Sequence, residues 1–268
     1  MTEHDTFEFR GDWSGQVVAT AIHTGNRIRA DLTDKMALPD DVRFREEDPF
    51  TDLIGARIPA RVVVHTSRFE VDLNRPRDGA VYRSPDEAWG LDIWRDPPLD
   101  APAVEKSLET YDAFYEELAT RFDALAARGP FLVFDVHSYN HRRDGADEPE
   151  APLEENPEVN VGTGSLNRDR FGSVVDAFTD ALKAQDCAGL DVETNHLDVR
   201  ENIRFKGANL ARWTHERYPD TAVVLALEFK KTFMDEWTGE PDRHRIDRLA
   251  EALAATVPAV ERALAALR

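Results

Sequence analysis

Cysteine occurs once in these 268 residues, at Cys187. A single thiol closes no internal disulfide and builds no thiolate zinc cluster, so any metal must be held by histidines and carboxylates. Cys187 lies in Lys183-Ala-Gln-Asp-Cys-Ala-Gly and reads as packing at a helix end rather than as a nucleophile. Long apolar runs are missing too: none approaches the roughly 18 residues of a membrane span. The opening Met1-Thr2-Glu3-His4-Asp5 lacks the basic start and apolar centre of a secretory leader, so a cytoplasmic location is expected. Positive charge is in short supply, with lysine scarce beside arginine and a formal net charge of -19. Phosphates would be repelled, which argues against nucleic acid and anionic membranes as partners. The chain has no compact His-Glu-x-x-His metal motif, no internal repeat and no linker.

What is present suits one large α/β domain, with 41% hydrophobic residues. Residues 1–15 read as a polar lead-in, with Trp13 packing against a single domain over 16–268. β-branched runs at 16–22 and 60–65 and short apolar runs at 132–136 and 221–227 predict strands. Apolar spacing at Leu108, Tyr111, Phe114, Tyr115, Leu118, Phe122 and Leu125 predicts a long amphipathic helix over 103–128, and similar patterns cover 171–185 and 246–267. Residues 78–102 read as a long ordered loop. Residues 140–157 read as a lid or a solvated insertion, and 190–195 as a further strand.

Chemistry collects at the strand exits, where α/β folds place their ligands. The run Leu132-Val-Phe-Asp-Val-His137-Ser-Tyr139 delivers His137, a metal-ligand candidate whose ring Asp135 can orient; the alternative is a core histidine bonded to a backbone carbonyl. His23, in His23-Thr-Gly25, is the second imidazole, or else a turn residue. Glu46, Glu47 and Asp48 supply a carboxylate, although Asp48 before Pro49 also fits a helix N-cap. After the strand at 60–65 come Arg68, Asp72, Asn74 and Arg75, suited to gripping an anion or to pairing among themselves. His65 reads as structural. Glu228 ends a buried strand, where desolvation raises a carboxyl toward neutrality and makes it a proton shuttle; pairing with Lys230 or Lys231 is the alternative. Two histidines and one carboxylate leave a coordination position open, the pattern of catalytic zinc.

Five segments together resemble the N-formylglutamate amidohydrolases, also called N-formylglutamate deformylases. They are His23-Thr-Gly25, Glu47-Asp-Pro-Phe-Thr-Asp52, Ser67-Arg-Phe-Glu-Val-Asp-Leu-Asn-Arg-Pro76, Asp135-Val-His-Ser138 and Leu227-Glu228 with Phe233-Met-Asp-Glu236. The resemblance implies a mixed, mostly parallel sheet with helices on both faces, like zinc carboxypeptidases and aspartoacylases. It implies one zinc ion held by His23, Asp48 and His137, and hydrolysis of a formyl or acyl amide on a small anionic substrate. Glu228 and Arg68 are then the catalytic pair, and Arg68, Asn74, Arg75 and Ser138 bind substrate. Asn26 stands three residues after His23, where carboxypeptidase-type sites carry Glu, so the acidic ligand is sought among Glu46, Glu47 and Asp48. Lys230-Lys231 stands where the family carries Arg. The competing readings are a metallocarboxypeptidase or deacylase on another amide, and a catalytically silent ligand-binding relative.

Overall fold

β-branched segments alternate with amphipathic ones along the chain, and the alternation resolves into one seven-stranded sheet between two helical layers. The computed structural model describes residues 6–185 and 196–267; Cys187 and the strand expected at 190–195 lie outside the described residues. The strands are β1 (Phe7–Gly11), β2 (Val17–Ala21), β3 (Ala60–Val64), β4 (Phe131–Tyr139), β5 (Val159–Gly162), β6 (Val199–Glu201) and β7 (Ala222–Lys230), in the spatial order β1-β3-β2-β4-β7-β5-β6. The central run β3, β2, β4 and β7 is parallel throughout. β1 joins its edge antiparallel, β5 lies antiparallel on β7, and β6 is parallel to β5. The sheet is therefore mixed and mostly parallel, as the resemblance implied.

Parallel strands covered on both faces read as unbroken apolar runs, and all nine residues of β4 are buried. The period of two sends Phe131 and Val133 toward α4 (Ala101–Ala126) and α6 (Asn209–Arg217). Leu132, Phe134 and Val136 point the other way, toward α3 (Thr51–Ile54), α5 (Arg168–Lys183) and α7 (Arg243–Ala265). The long helices start where a side chain can cap them: Asp100, Asn167 and Asp242 each accept a first-turn amide N–H. Every residue of the expected α4 stripe is buried. No helix among the described residues is long and apolar enough to cross a membrane.

Two local readings change, and one stretch without a reading becomes a helix. The lead-in contributes β1, because Phe7 and Phe9 alternate onto the helical side and meet Phe114 of α4; Trp13 packs there as expected. The polar stretch after Asp40 is a helix, α2 (Asp40–Glu46), preceded by the short α1 (Ala30–Thr33). Asp48 caps nothing: α3 starts only at Thr51, with Phe50 in the left-handed region ahead of it, so the Asp48 carboxylate is left for other use. The 78–102 connection is ordered by 3-10 turns at Arg77–Gly79 and Pro85–Ala88. The 140–157 connection is pinned at its start, where the buried Glu236 carboxylate accepts the His141 and Arg142 backbone N–H groups.

Candidate metal centre

Parallel order places the exits of β3, β2, β4 and β7 along one edge, and the side chains that follow them meet there. His23 leaves β2, and Gly25 lets the chain turn tightly behind it; a Cβ at Gly25 would fall 2.2 Å from the His65 carbonyl carbon. Asp48 is brought over by a backbone bond, its N–H donating to the His23 carbonyl at 2.9 Å. His137 sits near the end of β4. The two imidazole centres are 4.9 Å apart, and one ligand atom from each of His23, Asp48 and His137 lies within 4.8 Å of the others. All three residues are buried, at 2%, 3% and 2% exposure.

The ring nitrogens are sorted by their partners. His23 Nε2 donates to Asp72 Oδ1 at 2.8 Å, and His137 Nε2 lies 3.0 Å from Asp135 Oδ2. A carboxylate that only accepts keeps the proton on Nε2 and turns Nδ1 inward. Both Nδ1 atoms face Asp48 Oδ2, at 3.4 Å from His23 and 3.0 Å from His137. His23 Nδ1 is buried with no hydrogen-bond partner. Two inward imidazole nitrogens, one of them orphaned, and one carboxylate oxygen form a three-atom donor set that fits a divalent metal ion.

Charge supports the same fit. Burial works to raise the Asp48 carboxyl, but the hydrogen bond from His137 and the nearby His23 imidazole outweigh it and hold the group below the usual range. Burial likewise opposes the charge on Asp72, and the Arg68 guanidinium, with His23 and Tyr82, keeps it well below that range. Desolvation would lower His137, yet Asp135 and Asp48 raise it well above the ordinary imidazole value. Glu228 stands directly across from His137 in the β4–β7 register. Burial pushes its carboxyl up to about 8, with Asp48 and Asp135 adding to the rise and His137 opposing it. No hydrogen bond or ion pair joins it to another described residue, Lys230 and Lys231 included. Negative groups thus crowd a point where positive charge is missing.

The remaining expected residues fall on both sides of that point. Arg68 donates from Nη2 to Asp72 Oδ2 at 2.8 Å, while its buried Nε has no partner. Arg75 turns toward the 85–88 segment, donating to the Glu87 carbonyl at 2.6 Å, with its guanidinium 4.6 Å from the Tyr82 ring centre. Asn74 accepts the Leu210 N–H at 3.0 Å and sets its amide nitrogen 3.4 Å from His137 Nε2. Ser138 donates to Asp48 Oδ1 at 3.2 Å. Of the three acids, Glu46 accepts from Asn140, and Glu47 is buried against Arg43 and Ser67; only Asp48 reaches the imidazoles. His65 pairs with Glu8 of β1, a structural role.

Sequence reasoning missed the central part of Asp72. This fully buried carboxylate receives His23, Arg68, the Tyr82 hydroxyl and the Asn74 backbone N–H. Its position in the Asp-Leu-Asn-Arg segment was the available signal, but pairing with Arg looked self-contained. Thr20, donating to Asp135 at 2.7 Å, was also missed, and Lys231, read as a possible partner of Glu228, is instead buried and donates to the carbonyls of Arg45 and Glu47 at 2.6 Å each.

Known proteins share this sequence pattern and this fold. The family model described as N-formylglutamate amidohydrolase matches residues 15–234. An N-formylglutamate deformylase of Pseudomonas aeruginosa is 29% identical over 227 residues, covering 78% of this chain and 74% of its own. The crystal structure of N-formylglutamate amidohydrolase from Ralstonia eutropha shares the fold with a TM-score of 0.72 at 16% identity, over 96% of both chains. A gene product of Agrobacterium tumefaciens does so with a TM-score of 0.65 at 18% identity, over 97% of both. The chain belongs to the N-formylglutamate amidohydrolase family.

Proposed function

We propose that this chain, through one catalytic domain spanning 16–268 and completed by β1, is a zinc-dependent amidohydrolase that removes the formyl group from N-formylglutamate or a closely similar acidic amide. His23, Asp48 and His137 are the metal ligands in this reading, and the orphaned His23 Nδ1 among inward-facing donors is the observation that carries it. A divalent metal held there supplies positive charge that acidifies water, polarises a carbonyl oxygen and draws the neighbouring Glu228 carboxyl down toward neutrality. The protein's own groups do the rest.

Glu228 is the proton shuttle: it accepts a proton from the attacking water and delivers it to the departing nitrogen. Its place on β7, fixed by ladder bonds to β4, keeps the carboxyl at one distance from His137 without a competing partner. Arg68 meets the negative charge on the reacting carbonyl or on the substrate carboxylate with the guanidinium face not committed to Asp72. Arg75 adds a second positive charge at the same rim. Ser138 borders the substrate while holding Asp48 in place, and Asn74 borders it beside His137. Asp72 and Asp135 orient the two imidazoles.

The test is release of formate from N-formylglutamate by purified protein, with an acetyl amide and a peptide as controls. Hydrolysis of the formyl amide alone supports the reading. Cleavage of the peptide instead favours a carboxypeptidase-like activity, and no hydrolysis by metal-loaded protein overturns the enzymatic reading.

A further inference from the structure

The row of groups along the sheet edge has a cation at each end. Arg68 follows β3 on one side of His23, His137 and Glu228; Arg204 lies beyond β5 on the other. Strands about 4.8 Å apart put β5 roughly 10 Å from β4, the span of a small amino-acid side chain reaching away from the reacting bond.

Arg204 is held in place by a residue next to the catalytic carboxylate. Asn160 pairs with Glu228 in the β5–β7 register and is fully buried. Its Oδ1 accepts the backbone N–H of Arg204 at 2.9 Å and of Phe205 at 3.3 Å, and its Nδ2 donates to the Phe205 carbonyl at 2.8 Å. Gly162 lets the same segment close over β5, since a Cβ there would lie 2.6 Å from Gly207 N. The guanidinium carbon stands 5.5 Å from the ring centres of Tyr139 and Phe205, and Tyr139 is two residues past His137 on the same face of β4. Nη1 donates to Asn156 at 2.9 Å, and Nε is buried without a partner. Lys230, also buried, lies opposite Tyr139 in register and two residues past Glu228. Neither cation forms an ion pair with a described residue. The Lys230 charge acts on Glu150 and Glu158, whereas Arg204, in a chain with 52 acidic side chains, has no ion pair among the described residues and marks a place for an anion from outside.

We propose that Arg204 is the residue that binds the second carboxylate of the substrate and so carries the preference for N-acyl derivatives of acidic amino acids over neutral ones. The inference rests on the amidohydrolase reading above and adds to it the residue that reads the distal end of the substrate. A planar guanidinium braced beside two rings and bonded to Asn156 is pre-oriented for such an anion, and no neutral side chain reproduces that charge.

The experiment compares kcat/KM for N-formyl-L-glutamate and N-formyl-L-glutamine, which share the scissile bond and differ only at the distal group. It uses the whole zinc-loaded protein as wild type, Arg204→Met and Arg204→Lys, with thermal unfolding of each. Wild type is expected to prefer the glutamate, and Arg204→Met to lose about 10- to 100-fold on glutamate with little change on glutamine. Arg204→Lys is expected to recover part of the loss. Equal losses on both substrates, or unaltered discrimination in Arg204→Met, overturn the assignment and leave Arg204 as a brace for the 202–207 segment. Wild type that hydrolyses both amides equally well overturns it without any variant. Wild type that hydrolyses neither overturns the functional reading and this inference with it.

Discussion

Asp72 and Glu228 carry the same chemical group in the same site, and their surroundings treat it in opposite ways. Asp72 is closed in by donors: His23, Arg68, Tyr82 and a backbone N–H cover both oxygens, and the charge is locked on. Glu228 lies on the neighbouring part of the edge with no donor among the described residues, and burial pushes its carboxyl up to about 8. A carboxylate whose partners are all supplied by the fold is a fixture. One left without partners is free to take and give a proton.

Glu228→Gln breaks the second half of that contrast most severely. The amide keeps the shape and cannot carry the proton, so kcat is expected to fall by about 10²- to 10⁴-fold while elemental analysis finds the metal still bound. Loss of metal along with turnover would put Glu228 among the ligands and erase the contrast.

A buried imidazole away from the centre sharpens the comparison. His215 accepts the Val224 N–H on Nε2 at 2.9 Å and pairs with Ser165 Oγ through Nδ1 at 2.8 Å, and burial lowers it to about 4. Both nitrogens are committed, so a second proton has no place in the folded state. The unfolded imidazole, near 6.5, takes its proton first as the pH falls. The stability linked to His215 is therefore intact above about 6.5 and drains away toward pH 4, by about 3 kcal/mol in all. Urea unfolding from pH 7 to 4 is expected to show this share of the acid dependence in wild type and its absence in His215→Gln. Matching pH slopes in the two proteins would contradict it.

Asp72→Asn carries the smallest effect of the three. The amide still accepts from His23 but brings no charge, and metal affinity measured against a competing chelator is expected to weaken by about 10- to 100-fold. Unchanged affinity would reduce Asp72 to a brace for its loop.

Much of this was legible in the chain itself, for a physical reason. β-branched runs followed at once by His23, His137 or Glu228 mark strand exits, and parallel order necessarily gathers such exits on one edge. The helical stripe of α4 was equally plain, because burial of one face imposes its period. What stayed hidden depends on contacts across the chain. Nothing local separates Asp48 from Glu46 and Glu47; the choice follows from a backbone bond to His23 and from Arg43 and Ser67 claiming Glu47. β1 is five residues with two aromatics, too short to declare itself before β3 and α4 are in place. Arg204 sits in a segment with no period at all, and only the Asn160 side chain shows where it is held.

The central claim is that two distant imidazoles and Asp48 share one divalent ion that the reaction requires. Elemental analysis of the purified chain, paired with formate release from N-formylglutamate before and after metal is stripped and restored, tests it most directly. The account predicts one ion per chain, activity lost on stripping and regained with zinc, and neither property in His137→Ala. Full turnover by the stripped protein would contradict it.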